Sequence, residues 1–332
     1  MTKDAPIFVF SLFLVITQAG IASAMISDPK CVGAMNAIGQ TMTDQPHKKY
    51  IHAAGDLTIE RQRLKDQAEM LRADIWRNVD LSHHALATQF PFLEVGAGVA
   101  GQTPHLLAAL PAQAKVIGID VDANQIAHAV ENIRREHPDL VNRTSFEMMD
   151  AKQMQFANAS MSGAYVSWVL EHMPRSEAIA VLKELRRVVK KGGVIIINEV
   201  HLDVGTSWII KQPNQIDAVS PFSKRFLEAM IKEQQDSLGD PNVGSPESMR
   251  DLLSQVGFHH FKYQRLVMHY DQNDPRTLDA YAHYLIALWN SVLPDLIKSG
   301  KFTQADYEHV KQEVLQSHTL RQEAGQVIIT VD

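Results

Sequence analysis

The strongest constraint on the fold is the segment FLEVGAGVAGQTPHLLAAL, residues 92–110. An apolar run that ends in Val95 is followed by a glycine-rich stretch and then by a helical pattern that opens with Thr103-Pro104, a typical N-cap and first-turn pair. The glycines have the spacing G-x-G-x-x-G and are Gly96, Gly98 and Gly101. Glycine lets a backbone approach a ligand closely, and a helix start offers unpaired N–H groups. The segment therefore predicts a strand, a ligand-binding turn and a helix.

Strands and helices are expected to alternate beyond this segment. Strands are predicted at 115–120, 144–148, 163–168, 194–200, 261–269 and 325–331. Helices are predicted from the cap pair Asp122 and Gln125 to Glu136, over 176–189 and over 246–256, with a turn at 190–193. Because the strands are buried apolar runs separated by helices, the fold class is α/β, a doubly wound, Rossmann-like, mostly parallel sheet of seven strands.

Helical material is expected before and after the sheet. An amphipathic helix leads into the domain, with Leu64, Ala68, Leu71 and Ile75 on one face. Two late insertions, about 201–245 and 272–324, are too long for ordinary connections and predict one cap over the sheet. Their larger aromatic residues are expected to form mainly the core of that cap: Trp208, Phe222, Phe226, Tyr281, Tyr284 and Trp289.

Composition excludes several classes of function. The net charge is -6 and no block of Lys and Arg is present, which argues against a nucleic-acid partner. The single cysteine, Cys31, excludes an internal disulfide framework and a cysteine-based metal site. The histidine pairs at 83–84 and 259–260 lack the helical i, i+4 spacing of a zinc site, so no metal is expected.

The first residues have the pattern of a secretory signal peptide. Residues 1–24 contain a short apolar core and end in Ala22-Ser23-Ala24, and residues 25–49 are a polar linker to a main domain at 50–332. The chain from Met42 onward also resembles an ordinary domain start, so residues 1–41 are interpreted as an appendage, either an over-extended start or a targeting leader. The catalytic domain is expected in the cytoplasm; a retained leader would make export or membrane attachment possible.

The glycine turn alone is compatible with two ligands. G-x-G-x-x-G followed by Asp120 about 20 residues later also fits a dinucleotide site, in which a pyrophosphate meets the helix start. Glu94, two residues before the first glycine, places a carboxylate where a pyrophosphate is disfavoured and a cationic ligand is favoured.

Four ordered motifs resemble the class I S-adenosylmethionine-dependent methyltransferases over about residues 50–257. They are FLEVGAGVAGQT, VIGIDVDANQIAHA, FEMMDAKQMQF, and GAYVSWVLEHMP with LKELRRVVKKGGVIIINEV. The family has Gly-x-Gly-x-Gly in the first motif, whereas this chain has Ala100 at the third position, and Lys191 stands where the family has proline before strand five.

The resemblance implies S-adenosylmethionine as cofactor and a site for it. Asp120 would bind the ribose hydroxyls, Asp150 and Ala151 would meet the adenine, and Tyr50 precedes the first helix where relatives cover the cofactor. The implied cofactor residues are Tyr50, Glu94, Gly96, Gly98, Gly101, Asp120, Val121, Asp150, Ala151 and Val169. The candidate catalytic residues are His172 and His201, as general bases for an acceptor that must lose a proton.

A small-molecule methyl acceptor is the expected partner. The fourth motif has Ser167-Trp168-Val169-Leu170 in place of the Asn/Asp-Pro-Pro-aromatic of enzymes that methylate protein or nucleobase nitrogen. Two alternatives stay open at this point: an NAD(P)-dependent oxidoreductase on a Rossmann sheet, and a catalytically silent cofactor-binding protein whose Ala100 accompanies lost activity.

Overall fold

The computed structural model describes residues 57–201, 221–237, 239–240 and 243–332. The signal-like segment, the linker, the alternative start at Met42, Tyr50 and Trp208 lie outside the described residues. The helices are α1 (Leu57–Trp76), α2 (Thr103–Ala109), α3 (Ala123–Glu136), α4 (Arg175–Val188), α5 (Pro221–Ser237), α6 (Pro246–Gln255), α7 (Pro275–Lys298) and α8 (Gln304–Leu315). The strands are β1 (Phe92–Val95), β2 (Val116–Asp120), β3 (Thr144–Met148), β4 (Met161–Ser167), β5 (Val189–Val200), β6 (Phe261–Asp271) and β7 (Thr319–Thr330). Short 3-10 helices span Ala85–Thr88, Pro138–Arg143 and Leu170–His172.

The seven strands form one sheet in the order β3-β2-β1-β4-β5-β7-β6. The first five strands are parallel, and β7 is antiparallel to both of its neighbours, β5 and β6. This confirms the predicted α/β class with a mostly parallel sheet. Val95 pairs with Ile119 of β2 and with Val166 of β4, so the carboxyl ends of the three central strands meet at one edge.

Helices cover both faces of the sheet, as the buried strands require. Leu93 and Val95 share a hydrophobic cluster with α4 and α6, which contribute Leu185 and Leu252. On the other face, Phe92 packs in a cluster with Leu106 of α2 and with residues of β2, β4 and β5. Because successive residues of a strand point to opposite faces, the apolar residues of β1 contribute to both cores.

Three sequence predictions about local structure were wrong. Helix α4 ends at Val188, and Val189 is the first residue of β5. Residues 190–193, predicted as a turn, are part of β5, although Gly192 has a left-handed φ of +78°. Residues 319–323, predicted as helix, form the start of β7 because they pair with 267–271 of β6. Tertiary strand pairing overrides a local helical pattern of this kind.

Helices α5, α7 and α8 pack together, and we call them the helical cap. The Phe226 ring lies 5.0 Å from that of Trp289, 5.2 Å from that of Phe302 and 5.8 Å from that of Tyr307, measured between centroids. Helix α1 joins the same hydrophobic cluster through Leu71 and other residues. Of the remaining aromatic residues assigned to the insertions, Tyr281 and Tyr284 are buried and Phe222 is 37% exposed. The division of the whole chain into domains stays a prediction.

In the part of the chain that the structure describes, no helix combines the length and the apolar content needed to cross a bilayer.

Substitution of Phe226 by Ala should lower the free energy of unfolding by about 3–5 kcal/mol, because a fully buried ring at the centre of the helical cap leaves a cavity. Phe222→Ala, on the same helix but exposed, is the matched control and should cost less than about 1 kcal/mol. Urea unfolding followed by circular dichroism measures both values. Equal losses in the two variants would contradict the described packing of the cap.

Candidate functional site

The glycines after β1 form a tight bend at the carboxyl edge of the sheet. We call residues 96–101 the glycine bend. Gly96 and Gly98 have φ angles of +67° and +52°, a region that favours glycine. The Gly98 N–H donates to Asp120 Oδ2 at 3.0 Å, and the Ala97 N–H donates to the Ile119 carbonyl at 2.9 Å. The bend after β1 is therefore held against the end of β2.

Asp120 occupies the junction between the bend and the next helix. Its Oδ1 accepts the Asp122 N–H at 3.0 Å, while Oδ2 accepts the Gly98 N–H. Burial raises the pKa of Asp120, and the backbone N–H donors act in the opposite direction. The N-cap of α3 is Asp122, whose side chain accepts the Asn124 N–H, as predicted; Asp120 therefore has no capping role there.

Glu94 lies beneath the bend and is 3% exposed. Its Oε2 accepts a hydrogen bond from the Thr103 hydroxyl at 2.5 Å. The prediction that Thr103 is the N-cap of α2 was wrong: the N-cap is Gln102, and Thr103 is the first helical residue. The hydroxyl that would have capped the helix is bound to the carboxylate. Burial raises the pKa of Glu94 to about 7, against the lowering effect of the Thr103 hydrogen bond.

Ala100 and Gly101 complete the bend by packing on helices. Ala100 has a left-handed φ of +62°, and its buried methyl group shares a small cluster with Ala129 and Ile133 of α3. A Cβ at Gly101 would lie 3.1 Å from the Ala68 Cβ of α1. The side chain of Ala100, where the family has glycine, therefore packs into the protein interior. Gly101 has no side chain and lets α1 pack close to the bend.

The ends of β2 and β3 place the other predicted cofactor residues beside Asp120. Val121 follows β2 and is 67% exposed. The Met149 N–H donates to the Asp120 carbonyl at 2.9 Å, so the segment that carries Asp150 and Ala151 adjoins β2. Asp150 Oδ1 accepts the N–H of Lys152 at 2.8 Å.

A short turn after β4 forms the opposite side of the site. We call residues 168–172 the β4 turn. Trp168 has a left-handed φ of +54°, which costs a bulky residue on the order of 1–2 kcal/mol. A Cβ added at Gly96 would lie 2.5 Å from Val169 Cγ2, so the valine side chain closes directly on the glycine. The predicted pair Gly96 and Val169 is thus in contact.

Two carboxylates are buried under the β4 turn. Glu199, near the end of β5, accepts the N–H groups of Val169, Leu170 and Glu171 at 3.1, 2.9 and 3.2 Å. Burial raises the pKa of Glu199 to about 7, against the lowering effect of these three donors. Burial, and then the charge of Glu199, raise the pKa of Glu171 well above its ordinary value. Two adjacent buried carboxylates cannot both ionise cheaply, so the pair holds a proton.

The two predicted catalytic histidines lie at the same edge of the sheet. His172 ends the β4 turn, and its Nε2 is 3.3 Å from Glu171 Oε1. His201 directly follows β5, where its N–H donates to the Glu323 carbonyl of β7 at 3.3 Å. Their catalytic roles stay predictions.

Sequence reasoning missed Thr103 and Glu199 as parts of this site. Glu199 is the acidic residue inside VIIINEV, and a charged residue in a fully buried strand is a signal that a partner is required. Thr103 carried no distinguishing signal, because the same residue type is expected at a helix start.

A groove elsewhere on the described part of the molecule contains none of the predicted site residues. This groove of about 650 Å³ is lined by Lys183, Arg186, Arg187 and residues 254–257. Arg186 Nη1 donates to the Val256 carbonyl at 3.0 Å, so this arginine serves the C-terminal end of α6. Among the described residues, no three His, Cys, Asp or Glu side chains come together as a metal site would require.

Known proteins resemble this chain over the site and beyond it. Residues 92–193 match a family model described as a methyltransferase domain. A demethylmenaquinone methyltransferase of Staphylococcus haemolyticus is 25% identical over 228 residues, which is 67% of this chain and 91% of the relative. An O-methyltransferase of Pyrenophora dematioidea is 29% identical over 168 residues, 50% of this chain and 53% of the relative.

A solved structure of a putative methyltransferase from Bacillus halodurans has 15% identity and a TM-score of 0.43, and covers 74% of this chain and 97% of its own. The matched residues 92–193 include the glycine bend and the β4 turn. The family match and the relatives support a class I S-adenosylmethionine-dependent methyltransferase.

The free energy of unfolding should fall as the pH rises from about 4.5 to about 7 because of Glu94. In that window the folded chain binds a proton that the unfolded chain has released, so the folded state loses stability with increasing pH. The loss approaches about 3 kcal/mol, since one pKa unit corresponds to about 1.4 kcal/mol. Glu94→Gln cannot ionise and should therefore gain stability over the natural chain at pH 8 more than at pH 5, measured by urea unfolding.

Thr103→Val provides a second arm for this measurement. Removal of the hydroxyl removes the hydrogen bond that lowers the Glu94 pKa, so the pH window should extend upward. If the Gln variant and the natural chain differ by the same amount at both pH values, the buried, proton-holding state of Glu94 is refuted.

Proposed function

We propose that this chain transfers a methyl group from S-adenosylmethionine to a small-molecule acceptor, with the cofactor held by the glycine bend and by the ends of β2 and β3. The observation that carries the proposal is the carboxylate of Asp120 bound to the Gly98 N–H at 3.0 Å, because it places an acidic strand end at a glycine bend. The family match and the methyltransferase relatives support the reaction class.

The residues present suit a cationic nucleoside without phosphate. A Cβ added at Gly98 would meet no atom within 4 Å, which leaves open space at the bend for a ligand. Val121 offers an exposed apolar surface next to Asp120, as an adenine ring would require. Glu94 lies under the bend, where its ionised form disfavours an incoming pyrophosphate and does not oppose a sulfonium.

The sheet order suggests how such a ligand would lie. Asp120, Val121, Asp150 and Ala151 stand at the ends of β2 and β3, on one side of the bend. Val169 stands on the other side, after β4, in contact with Gly96. We infer that the adenosine lies over β2 and β3 and that the sulfonium and the methionine tail lie between the bend and the β4 turn.

Methyl transfer requires mainly that the acceptor and the cofactor be held in the correct relative position. When bound, S-adenosylmethionine supplies a methyl group on a positively charged sulfur, a good leaving group. The bend and the β4 turn would hold the nucleophile, the methyl carbon and the sulfur in line, and the helical cap would exclude water. A nucleophile that carries a proton also needs a base, for which His172 and His201 are the candidates at this edge.

The small-molecule acceptor is supported by three features. The β4 turn lacks the Asn/Asp-Pro-Pro-aromatic motif, the net charge is -6, and the matched relatives include a demethylmenaquinone methyltransferase and an O-methyltransferase. The same proposal places the catalytic domain in the cytoplasm, where the methyl donor is made.

Calorimetric titration of the purified chain with S-adenosylhomocysteine, and separately with NADH, tests the proposal. Binding of S-adenosylhomocysteine alone is expected, and a preference for NADH would favour the oxidoreductase. A labelled methyl donor offered with a panel of phenolic, quinone and amine metabolites then tests turnover. Tight binding of S-adenosylhomocysteine without transfer of the labelled methyl group would favour a catalytically silent cofactor-binding protein.

Gly98→Ala should weaken binding of S-adenosylhomocysteine at least tenfold, because the added methyl group enters the open space at the bend. Gly300→Ala is the matched control: Gly300 has φ +70°, and a Cβ there also meets no atom within 4 Å, but it follows α7 away from the bend. Both variants should lose about 1 kcal/mol of stability from the left-handed backbone. Equal ligand affinities in the two variants would contradict the proposed cofactor position.

A further inference from the structure

A single side chain supports the β4 turn from beneath. The carboxylate of Glu199 receives three successive backbone N–H groups, those of Val169, Leu170 and Glu171, within 3.2 Å. Glu199 is fully buried in β5, so no water replaces these bonds in the described structure. Buried N–H groups without an acceptor are strongly disfavoured, and the three donors therefore tie the position of the turn to this one carboxylate.

The turn also has a backbone that needs external support. Trp168 is in the left-handed region, which a bulky residue rarely adopts. Its N–H donates to the Asn198 carbonyl of β5 at 2.9 Å, and Glu199 then binds the next three N–H groups. Strained backbone of this kind persists where the surroundings over-determine it. Strand β5 supplies that constraint through two consecutive residues.

The second buried carboxylate, Glu171, binds a different backbone N–H from those that Glu199 holds. Glu171 Oε2 accepts the Val200 N–H at 3.3 Å, and the positive charge of Arg63 of α1 acts to lower the Glu171 pKa. The three N–H donors around Glu199 favour its ionised form. The position of the turn and the ionisation of Glu199 are thereby linked through these three N–H groups.

The β4 turn contacts the glycine bend through the side chain of Val169. Val169 Cγ2 lies 2.5 Å from the position that a Cβ on Gly96 would take. Val169 is also the first of the three residues bound by Glu199. Glu199 binds the backbone N–H of Val169, and the side chain of Val169 contacts Gly96 in the glycine bend.

We propose that Glu199 is a positioning residue for methyl transfer: it fixes the β4 turn, and through Val169 it sets the wall of the bend that faces the sulfonium and methionine tail of the cofactor. This rests on the proposed function. Glu199 has no described contact with Asp120, Val121 or Asp150, which lie at the other side of the bend. Its loss should therefore affect the tail of the ligand and spare the adenosine.

Two ligands separate these parts of the site in the full chain. S-adenosylhomocysteine carries the amino-acid tail, and 5′-methylthioadenosine carries the adenosine and sulfur without it. In Glu199→Gln the amide has one accepting oxygen for three N–H groups. We expect the dissociation constant of S-adenosylhomocysteine to rise at least tenfold and that of 5′-methylthioadenosine to change less than twofold, both measured by calorimetry.

Glu313→Gln is the control for loss of a buried carboxylate. Glu313 is 8% exposed in α8, where it accepts the Ser223 hydroxyl at 2.6 Å, and it should leave both constants within twofold. Val169→Ala removes the contact with Gly96 without a change of charge, and it should also weaken S-adenosylhomocysteine selectively, by several-fold. If Glu199→Gln does not fold, Val169→Ala still tests whether the β4 turn positions the ligand tail.

The possible outcomes are distinct. Unchanged binding of S-adenosylhomocysteine, or equal weakening of both ligands, in a folded Glu199 or Val169 variant overturns the positioning role and leaves the proposed function intact. A natural chain that binds neither ligand overturns the proposed function, and the positioning role with it.

Discussion

The hydrogen bond from the Gly98 N–H to the Asp120 carboxylate is the contact on which the site depends. It ties the bend after β1 to the end of β2, two strands that are already paired in parallel from 92–95 to 116–119. A positive φ favours glycine at the donor position, and the acid at the end of β2 supplies the acceptor. The bond thereby holds the glycine bend beside the end of β2.

Buried acids give the site its electrostatic character. Glu94 lies under the bend and Glu199 under the β4 turn, and burial raises the pKa of each to about 7. Each is satisfied by donors from the element it supports: the Thr103 hydroxyl in one case and three backbone N–H groups in the other. In their ionised form, the acids beneath both walls suit a cationic ligand and oppose a phosphate.

Much of the fold was predictable because its signals are local. Strands β1, β2, β4 and β5 contain buried apolar runs that the sequence displays directly, whereas β3 (TSFEM) is mostly exposed at the edge of the sheet. The start of β7 was not predictable, since residues 319–323 become a strand only by pairing with β6. The same holds for Thr103, whose hydroxyl is taken by Glu94 from a strand nine residues earlier.

The site was predictable in part for the same reason. Gly98, Asp120 and Val169 stand in sequence motifs, and the structure brings them to one edge of the sheet. The convergence of three N–H groups on Glu199 is a property of backbone geometry, which no residue pattern displays.

A crystal structure of the chain with S-adenosylhomocysteine tests the central claim most directly. The claim predicts ribose hydroxyls within hydrogen-bonding distance of the Asp120 carboxylate, adenine against Val121, and the amino-acid tail between Gly96 and Val169. A nucleoside bound elsewhere on the molecule, or an Asp120 carboxylate that faces no part of the ligand, would contradict it.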